Sequence, residues 1–362
     1  MPERIWNFNA GPATLPLPVL EKIKSDLPNY NNTGMALMEL SHRSKDYAAV
    51  HAEAKSLLKE LFSIPDSHHI LFLQGGASSQ FFMVPMSLLS ENTSADYINT
   101  GTWSKKAIKE AKLFGNVNIA GTSEDANFSY IPKAEDLNLK SDARYVHITS
   151  NNTIAGTQWD QFPDTGGVPI ISDMSSDIPS KKLDISKFGI IYAGAQKNLG
   201  PSGVTVVIIR DDVLAKCKEG LPAMLTYATH VDKDSLFNTG PTYSIYILKL
   251  VLEHVKKIGG LDAVEKINGE KGKLLYGTIE SNGDFFRCPV REDSRSLMNV
   301  VFRLPSEDLE KQFIADGLAA GFGGLKGHRS VGGIRVSMYN AMPLEGIEEL
   351  TQFMVEFKKN NG

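Results

Sequence analysis

Lys197 stands in Ala193-Gly194-Ala195-Gln196-Lys197-Asn198-Leu199-Gly200-Pro201-Ser202-Gly203, between two apolar runs. A lone lysine in a turn reads as a solvated one, because lysine is seldom buried. Here its neighbours are small enough for backbone and a planar ligand to approach closely, and Gly and Pro fix the turn. A lysine amine taken out of water can lose its proton and form an imine with a carbonyl compound. Pyridoxal 5'-phosphate is the carbonyl cofactor held in this way, and its ring works as an electron sink only while an acidic partner keeps the ring nitrogen protonated. Asp173 directly follows the apolar run Val168 to Ser172 and supplies that acid. The competing reading is a carboxylate that caps the next turn or helix. Asp177, further from the strand end, is the weaker candidate.

The cofactor's phosphate needs backbone donors. Leu71-Phe72-Leu73-Gln74-Gly75-Gly76-Ala77-Ser78-Ser79-Gln80 offers a strand, a small-residue turn and the start of an apolar helix, whose free N–H groups suit an anion. Ser78 and Ser79 also read as ordinary helix caps, and the two readings coexist. The turn matches neither a dinucleotide fingerprint nor a Walker loop. Trp103, in Asn99-Thr100-Gly101-Thr102-Trp103-Ser104, is placed to stack on a pyridine ring, although core packing is the commoner role of tryptophan. Thr153 closes Thr149-Ser150-Asn151-Asn152-Thr153, a turn that follows another strand and can reach the ring's polar atoms. Such Asx-rich turns also occur without any function.

These segments share a position, each lying just past an apolar run. The runs His69 to Leu73, Ala95 to Asn99, Tyr145 to Thr149, Val168 to Ser172, Gly189 to Tyr192 and Val204 to Ile209 read as buried strands alternating with helical patterns. That rhythm predicts an α/β fold with a mostly parallel sheet, and in such sheets ligands bind beyond the carboxyl ends of the strands. A long apolar helix from about Pro241 to Ile258, stopped by Gly259-Gly260, predicts a boundary. Residues 16–260 then form a large cofactor-binding domain. Residues 261–362 form a small α+β domain with strands Leu297 to Arg303 and Val331 to Met338, helix Asp308 to Leu318, and a closing helix whose Ile347, Leu350, Met354 and Phe357 share one face. Residues 1–15 are expected near the small domain and the active site.

A chain of 362 residues with 42% hydrophobic and 22% charged residues is built like a soluble two-part protein. A net charge of -4 gives no basic field for nucleic acid or an anionic membrane, and neither partner is expected. Only Cys217 and Cys288 are present, far apart and without a Cys/His cluster, so no disulfide framework or metal site is expected and the cytoplasm is the default compartment. No signal or membrane-spanning stretch is read.

Taken in order, Asn9-Ala10-Gly11-Pro12-Ala13, Glu39-Leu40-Ser41-His42-Arg43-Ser44-Lys45, Ser172-Asp173-Met174-Ser175-Ser176-Asp177, Ala193 to Asn198 and Gly327-His328-Arg329-Ser330-Val331-Gly332-Gly333-Ile334-Arg335 resemble the class V pyridoxal-phosphate-dependent aminotransferases, and within them the phosphoserine-forming members. The resemblance covers essentially the whole chain and implies the type I pyridoxal-phosphate transferase fold. It implies that Lys197 holds the cofactor, that Trp103 stacks on its ring, and that Thr153 and Asp173 contact its polar atoms. Ala77, Ser78 and Gln196 would hold the phosphate, joined by Asn238 and Thr239 from the other subunit of a homodimer. Many members carry arginine where this chain has Ser78, which leaves this loop less cationic.

The implied reaction moves the amino group of L-glutamate to 3-phosphohydroxypyruvate in serine biosynthesis, giving O-phospho-L-serine and 2-oxoglutarate; the resemblance also permits the phosphorylated hydroxythreonine of pyridoxine biosynthesis. Both oxo acids carry an α-carboxylate and a distal anion, so one cationic pocket can serve both half-reactions. In Ile334-Arg335-Val336-Ser337-Met338 the period of two aims Arg335 away from the core. By the resemblance Arg335 takes the α-carboxylate, and His42, Arg43, His328 and Arg329 take the distal group, some across the dimer interface. Taken singly, each of these side chains also reads as a solvated one.

The nearest alternatives are a serine or alanine:glyoxylate aminotransferase, which has no need of two His-Arg pairs, and a cysteine desulfurase, which needs a nucleophilic loop cysteine. Cys217 falls in a helical stretch, Asp211 to Lys218, and Cys288 precedes Pro289. A nucleotide-binding oxidoreductase lacks its glycine fingerprint here. A catalytically silent protein that keeps the fold for interaction would not need Lys197 and Asp173 intact.

Overall fold

The computed structural model describes residues 4–362. Its centre is a seven-stranded sheet in the order His68–Leu73, Thr205–Arg210, Phe188–Gly194, Ile170–Asp173, Val146–Thr149, Ser94–Asn99, Asn116–Thr122. Thr205–Arg210 runs antiparallel to both of its neighbours, and all the other pairings are parallel. The sheet is therefore mostly parallel, as the alternating apolar runs imply. Nearly all residues of its inner strands are buried, because helices cover both faces. Lys45–Phe62 and Thr242–Lys257 pack together on one side. Gly76–Leu88 and Thr102–Ala111 pack on the other.

Two features of the sheet depart from the sequence reading for identifiable reasons. The run Val168 to Ser172 becomes Ile170–Asp173: Pro169 has no N–H to give the ladder, and the register carries the strand through the carboxylate. The edge strand Asn116–Thr122 is absent from the sequence reading, since its Asn116 and Asn118 interrupt the apolar pattern at a half-exposed edge.

A second core gathers Leu275, Tyr276, Phe286, Phe302, Phe313, Val336, Leu350 and Met354 around the antiparallel pair Asn299–Phe302 and Ile334–Ser337. The four residues expected on one face of the closing helix are all buried in it. Thr242–Lys257 ends just ahead of Gly259-Gly260, as expected, but another helix follows at once. Gly259, with φ +110°, turns Thr242–Lys257 into a further helix, Gly260–Ser281. That helix spans both cores, placing Leu261 and Val264 in the first and Leu275 and Ile279 in the second. At the other end of the chain, Trp6–Asn7 pairs in parallel with Phe322–Gly323, and Phe8 is wholly buried in the second core. Among the described residues no helix is long and apolar enough to cross a membrane.

Candidate active site

Thr149, Asp173 and Tyr192 are in register across three adjacent strands, so the residues that follow them open on one edge of the sheet. Lys197 lies three residues beyond Gly194, the end of the third strand. Its Nζ donates to Thr153 Oγ1 at 2.7 Å and lies 5.2 Å from the centroid of the Trp103 ring. Protein surrounds the amine while part of the side chain keeps contact with the open edge. Burial pushes its pKa down to about 8; Asp173 works against that shift and Arg335 adds to it.

The N-terminal segment forms one wall. A Cβ added to Gly11, whose φ is +147°, would come within 3.1 Å of Lys197 Cγ. Ala13 N–H donates to the Gln196 carbonyl at 2.9 Å, and Tyr339 Oη donates to the Ala10 carbonyl at 2.7 Å.

Asp173 Oδ1 accepts from the backbone N–H of Ser175 at 3.0 Å and from its hydroxyl at 2.6 Å. Oδ2 has no hydrogen-bond partner among the described residues. Burial raises the carboxyl's pKa, while Lys197 and Ser175 oppose the rise. Asp177 is differently engaged, between Ser150 Oγ at 2.6 Å and Gln158 Nε2 at 3.4 Å, and burial raises it to about 6. The Ser150 hydroxyl also reaches the Asp173 carbonyl, and its single proton cannot serve both acceptors.

Arg335 projects from Ile334–Ser337 between the buried Ile334 and Val336, and its Nη1 donates to the Thr153 carbonyl at 3.3 Å. Thr153 therefore touches both cations, one by its hydroxyl and one by its carbonyl. The imidazole of His328 lies in the field of Arg335 and Arg329, which together with burial push it toward its neutral form.

Ala77 and Ser78 occupy the first turn of Gly76–Leu88, where Gly75 is the N-cap residue at φ +91°. No acidic residue stands in that turn, and neither serine caps the helix. Gln196 folds back over Gly194, where an added Cβ would come within 2.6 Å of Gln196 Oε1.

His42, Arg43, Asn238 and Thr239 form a cluster of their own. Arg43 Nε donates to His42 Nε2 at 3.2 Å, His42 Nδ1 and Thr239 Oγ1 are 3.2 Å apart, and Asn238 Nδ2 donates to Gln74 Oε1 at 3.1 Å. Gln74 adjoins the Gly75 turn, yet no hydrogen bond among the described residues joins this cluster to Lys197.

The pocket's unsatisfied groups suit a phosphorylated pyridine together with an anionic substrate beside it. They are Asp173 Oδ2, the free N–H groups of the first helical turn, and the buried, unpartnered Trp103 Nε1 and Arg335 Nε. The donor set fits pyridoxal phosphate.

Several contributors escaped the sequence reading. Ser175 braces Asp173 and accepts the Gly194 N–H at 3.0 Å, a role signalled by its place two residues after an aspartate. Gly11 and Tyr339 act through close approach between distant segments, which no local pattern reports. Cys217 sits in the turn after a helix that ends at Leu214, and burial pushes its thiol up to about 11, unlike a nucleophilic thiolate.

A family model described as aminotransferase class-V matches residues 5–350. The phosphoserine aminotransferase of Desulfosudis oleivorans is 57% identical over the whole of both chains. Among solved structures, the phosphoserine aminotransferase of Bacillus circulans subsp. alkalophilus is similar with a TM-score of 0.98 and 52% identity over the whole of both chains. A pyridoxal-phosphate-bound phosphoserine aminotransferase from Trichomonas vaginalis has a TM-score of 0.93 and 38% identity, covering 97% of this chain and all of that one.

Proposed function

The chain belongs to the class-V aminotransferases, and from that premise we infer that it is a pyridoxal-phosphate-dependent phosphoserine aminotransferase. It moves the amino group of L-glutamate to 3-phosphohydroxypyruvate, as serine biosynthesis requires. The observation that carries the reading is the grouping of Lys197, Thr153 and Arg335, linked by direct hydrogen bonds and flanked by Asp173 and Trp103.

Pyridoxal phosphate, when bound, supplies a ring that withdraws the electron pair left at the substrate's Cα. Lys197 would hold the cofactor covalently, and an amine depressed to about 8 is ready for that bond near neutral pH. Once released, the same amine would carry the proton from the substrate's Cα to the cofactor carbon that had held the lysine, and in the opposite direction in the second half-reaction, with Thr153 Oγ1 fixing its direction. Asp173 Oδ2 keeps a proton on the ring nitrogen, and Ser175 keeps that carboxylate aimed. Trp103 would cover the ring, and Ala77, Ser78 and Gln196 would receive the phosphate. Arg335 binds the α-carboxylate of either substrate, and His328 and Arg329 receive the distal anion.

The active unit is a homodimer in this reading, with His42, Arg43, Asn238 and Thr239 reaching the partner's site. Their grouping apart from Lys197 supports that assignment. The two unpaired cysteines support a cytoplasmic location. The division into a large domain, 16–260, and a small one, 261–362, is supported by the separate second core, although Leu261 and Val264 still pack in the first.

A visible absorbance band bleached by borohydride tests the cofactor, and turnover of glutamate with 3-phosphohydroxypyruvate against alanine or serine with glyoxylate tests the substrate. Preference for the glyoxylate pair would replace the phosphoserine reading while leaving the cofactor in place. Mixing Lys197→Ala with Arg43→Ala protein tests the shared site, since only a dimer that exchanges Arg43 rebuilds one intact centre.

A further inference from the structure

We propose that Lys106 is an additional anion-binding residue of this pocket, and that it favours the doubly charged phosphate of 3-phosphohydroxypyruvate over the singly charged side-chain carboxylate of glutamate. The proposal rests on the phosphoserine aminotransferase reading. Thr102–Ala111 begins at the carboxyl edge of the sheet, and the three-residue spacing puts Lys106 on the same helix face as Trp103. Its Nζ lies 4.5 Å from the centroid of the Trp103 ring, the ring that also has Lys197 Nζ at 5.2 Å.

Its neighbour has a different fate. Lys105 turns to Glu124 and to the Phe128 ring, so its charge is neutralised inside the chain. Lys106 is exposed and has no carboxylate partner among the described residues. Instead it stands near other cations: the imidazole of His328 feels Lys106 together with Arg335 and Arg329. The charges felt by this imidazole are thus two arginines and a lysine, with no carboxylate among them, a cationic surrounding suited to an anion. The ring face under Lys106 holds a flexible side chain in place while leaving its three N–H donors free for a ligand. A dianion gains about twice what a monoanion gains from one such charge, which is the basis of the selectivity.

Lys106→Ala, fully loaded with cofactor, is expected to raise the KM for 3-phosphohydroxypyruvate roughly tenfold, while the KM for glutamate rises only about threefold, as half the interaction energy implies, and kcat is kept. Inorganic phosphate as a competitive inhibitor is expected to weaken in parallel, and Lys106→Arg to restore both. Unchanged KM values and phosphate inhibition in Lys106→Ala would overturn the proposal, as would an equal rise for both substrates, which reports a general field. Lys106→Gln read by phosphate inhibition serves if the alanine protein is unstable. Wild-type protein that fails to use 3-phosphohydroxypyruvate at all would instead overturn the function on which the proposal rests.

Discussion

Two lysines leave water in this chain, and the surroundings give them opposite characters. Lys197 has one hydroxyl partner, a nearby carboxylate and an open edge. Lys271, in the middle of Gly260–Ser281, is fully buried and donates to the carbonyls of Met338, Tyr339 and Met342 at 2.9, 2.9 and 3.0 Å. Burial depresses both amines, to about 8 and about 7 respectively. Burial alone therefore does not make a lysine reactive. Three carbonyls occupy all three donors of Lys271 and pull against the desolvation, whereas Lys197 keeps its nitrogen available to a ligand. Lys271 spends its donors on the segment that sends Tyr339 to Ala10 and Asn340 N–H to Asn198 Oδ1, beside Lys197.

The sharpest way to break the contrast is Lys197→Ala, for which we expect turnover to fall by at least ~10³-fold with little change in thermal stability. Lys271→Met is expected to do the reverse, costing about 3 kcal/mol in denaturant unfolding because three buried carbonyls lose their partner. Its cofactor-loaded fraction should retain catalysis within about tenfold, and a larger loss would place Lys271 closer to the chemistry than its contacts do. Thr153→Val removes the acceptor that aims Lys197 while leaving the carbonyl that meets Arg335, and a fall in kcat of about tenfold with an unchanged KM for glutamate is expected in cofactor-saturated protein. The smallest effect is one of pH. Because burial puts the amine's pKa near 8, below the ordinary 10.5, the neutral reactive form grows as pH rises, and capture of pyridoxal phosphate by cofactor-free protein should accelerate through about pH 8 and then level off. A profile still climbing toward 10 would show that the amine is better solvated than its contacts imply.

The same two residues mark what was legible in the sequence. Lys197 was readable because its function requires flanking strands, small neighbours and a carboxylate at a strand end, all of which leave local traces. Lys271 was not read, although a trace exists: Leu261, Val264, Asn268, Lys271, Leu275 and Ile279 follow one helical stripe, with two polar residues among apolar ones. A buried amide and a buried amine on a core stripe imply partners across the interface, but only the fold says which. The strands of the large sheet were legible from apolar runs except Asn116–Thr122, at one edge, where half-exposure removes the pattern. Lys106 shows the converse limit: its sequence context is a run of lysines, and only geometry separates it from Lys105.

The helix that bears Lys271 has a mechanical consequence. At 22 residues it is a strut of about 33 Å, rooted by Leu261 and Val264 against the sheet and by Leu275 and Ile279 in the second core. Tilting of the second core against the first must therefore flex the strut just past this root, where Asn268 Nδ2 still donates to the Ser180 carbonyl at 3.3 Å. Arg335 rides on the far arm and Lys197 sits on the fixed one, so a small angle at the root is magnified into a change in the gap between the two groups that must hold a substrate from opposite ends.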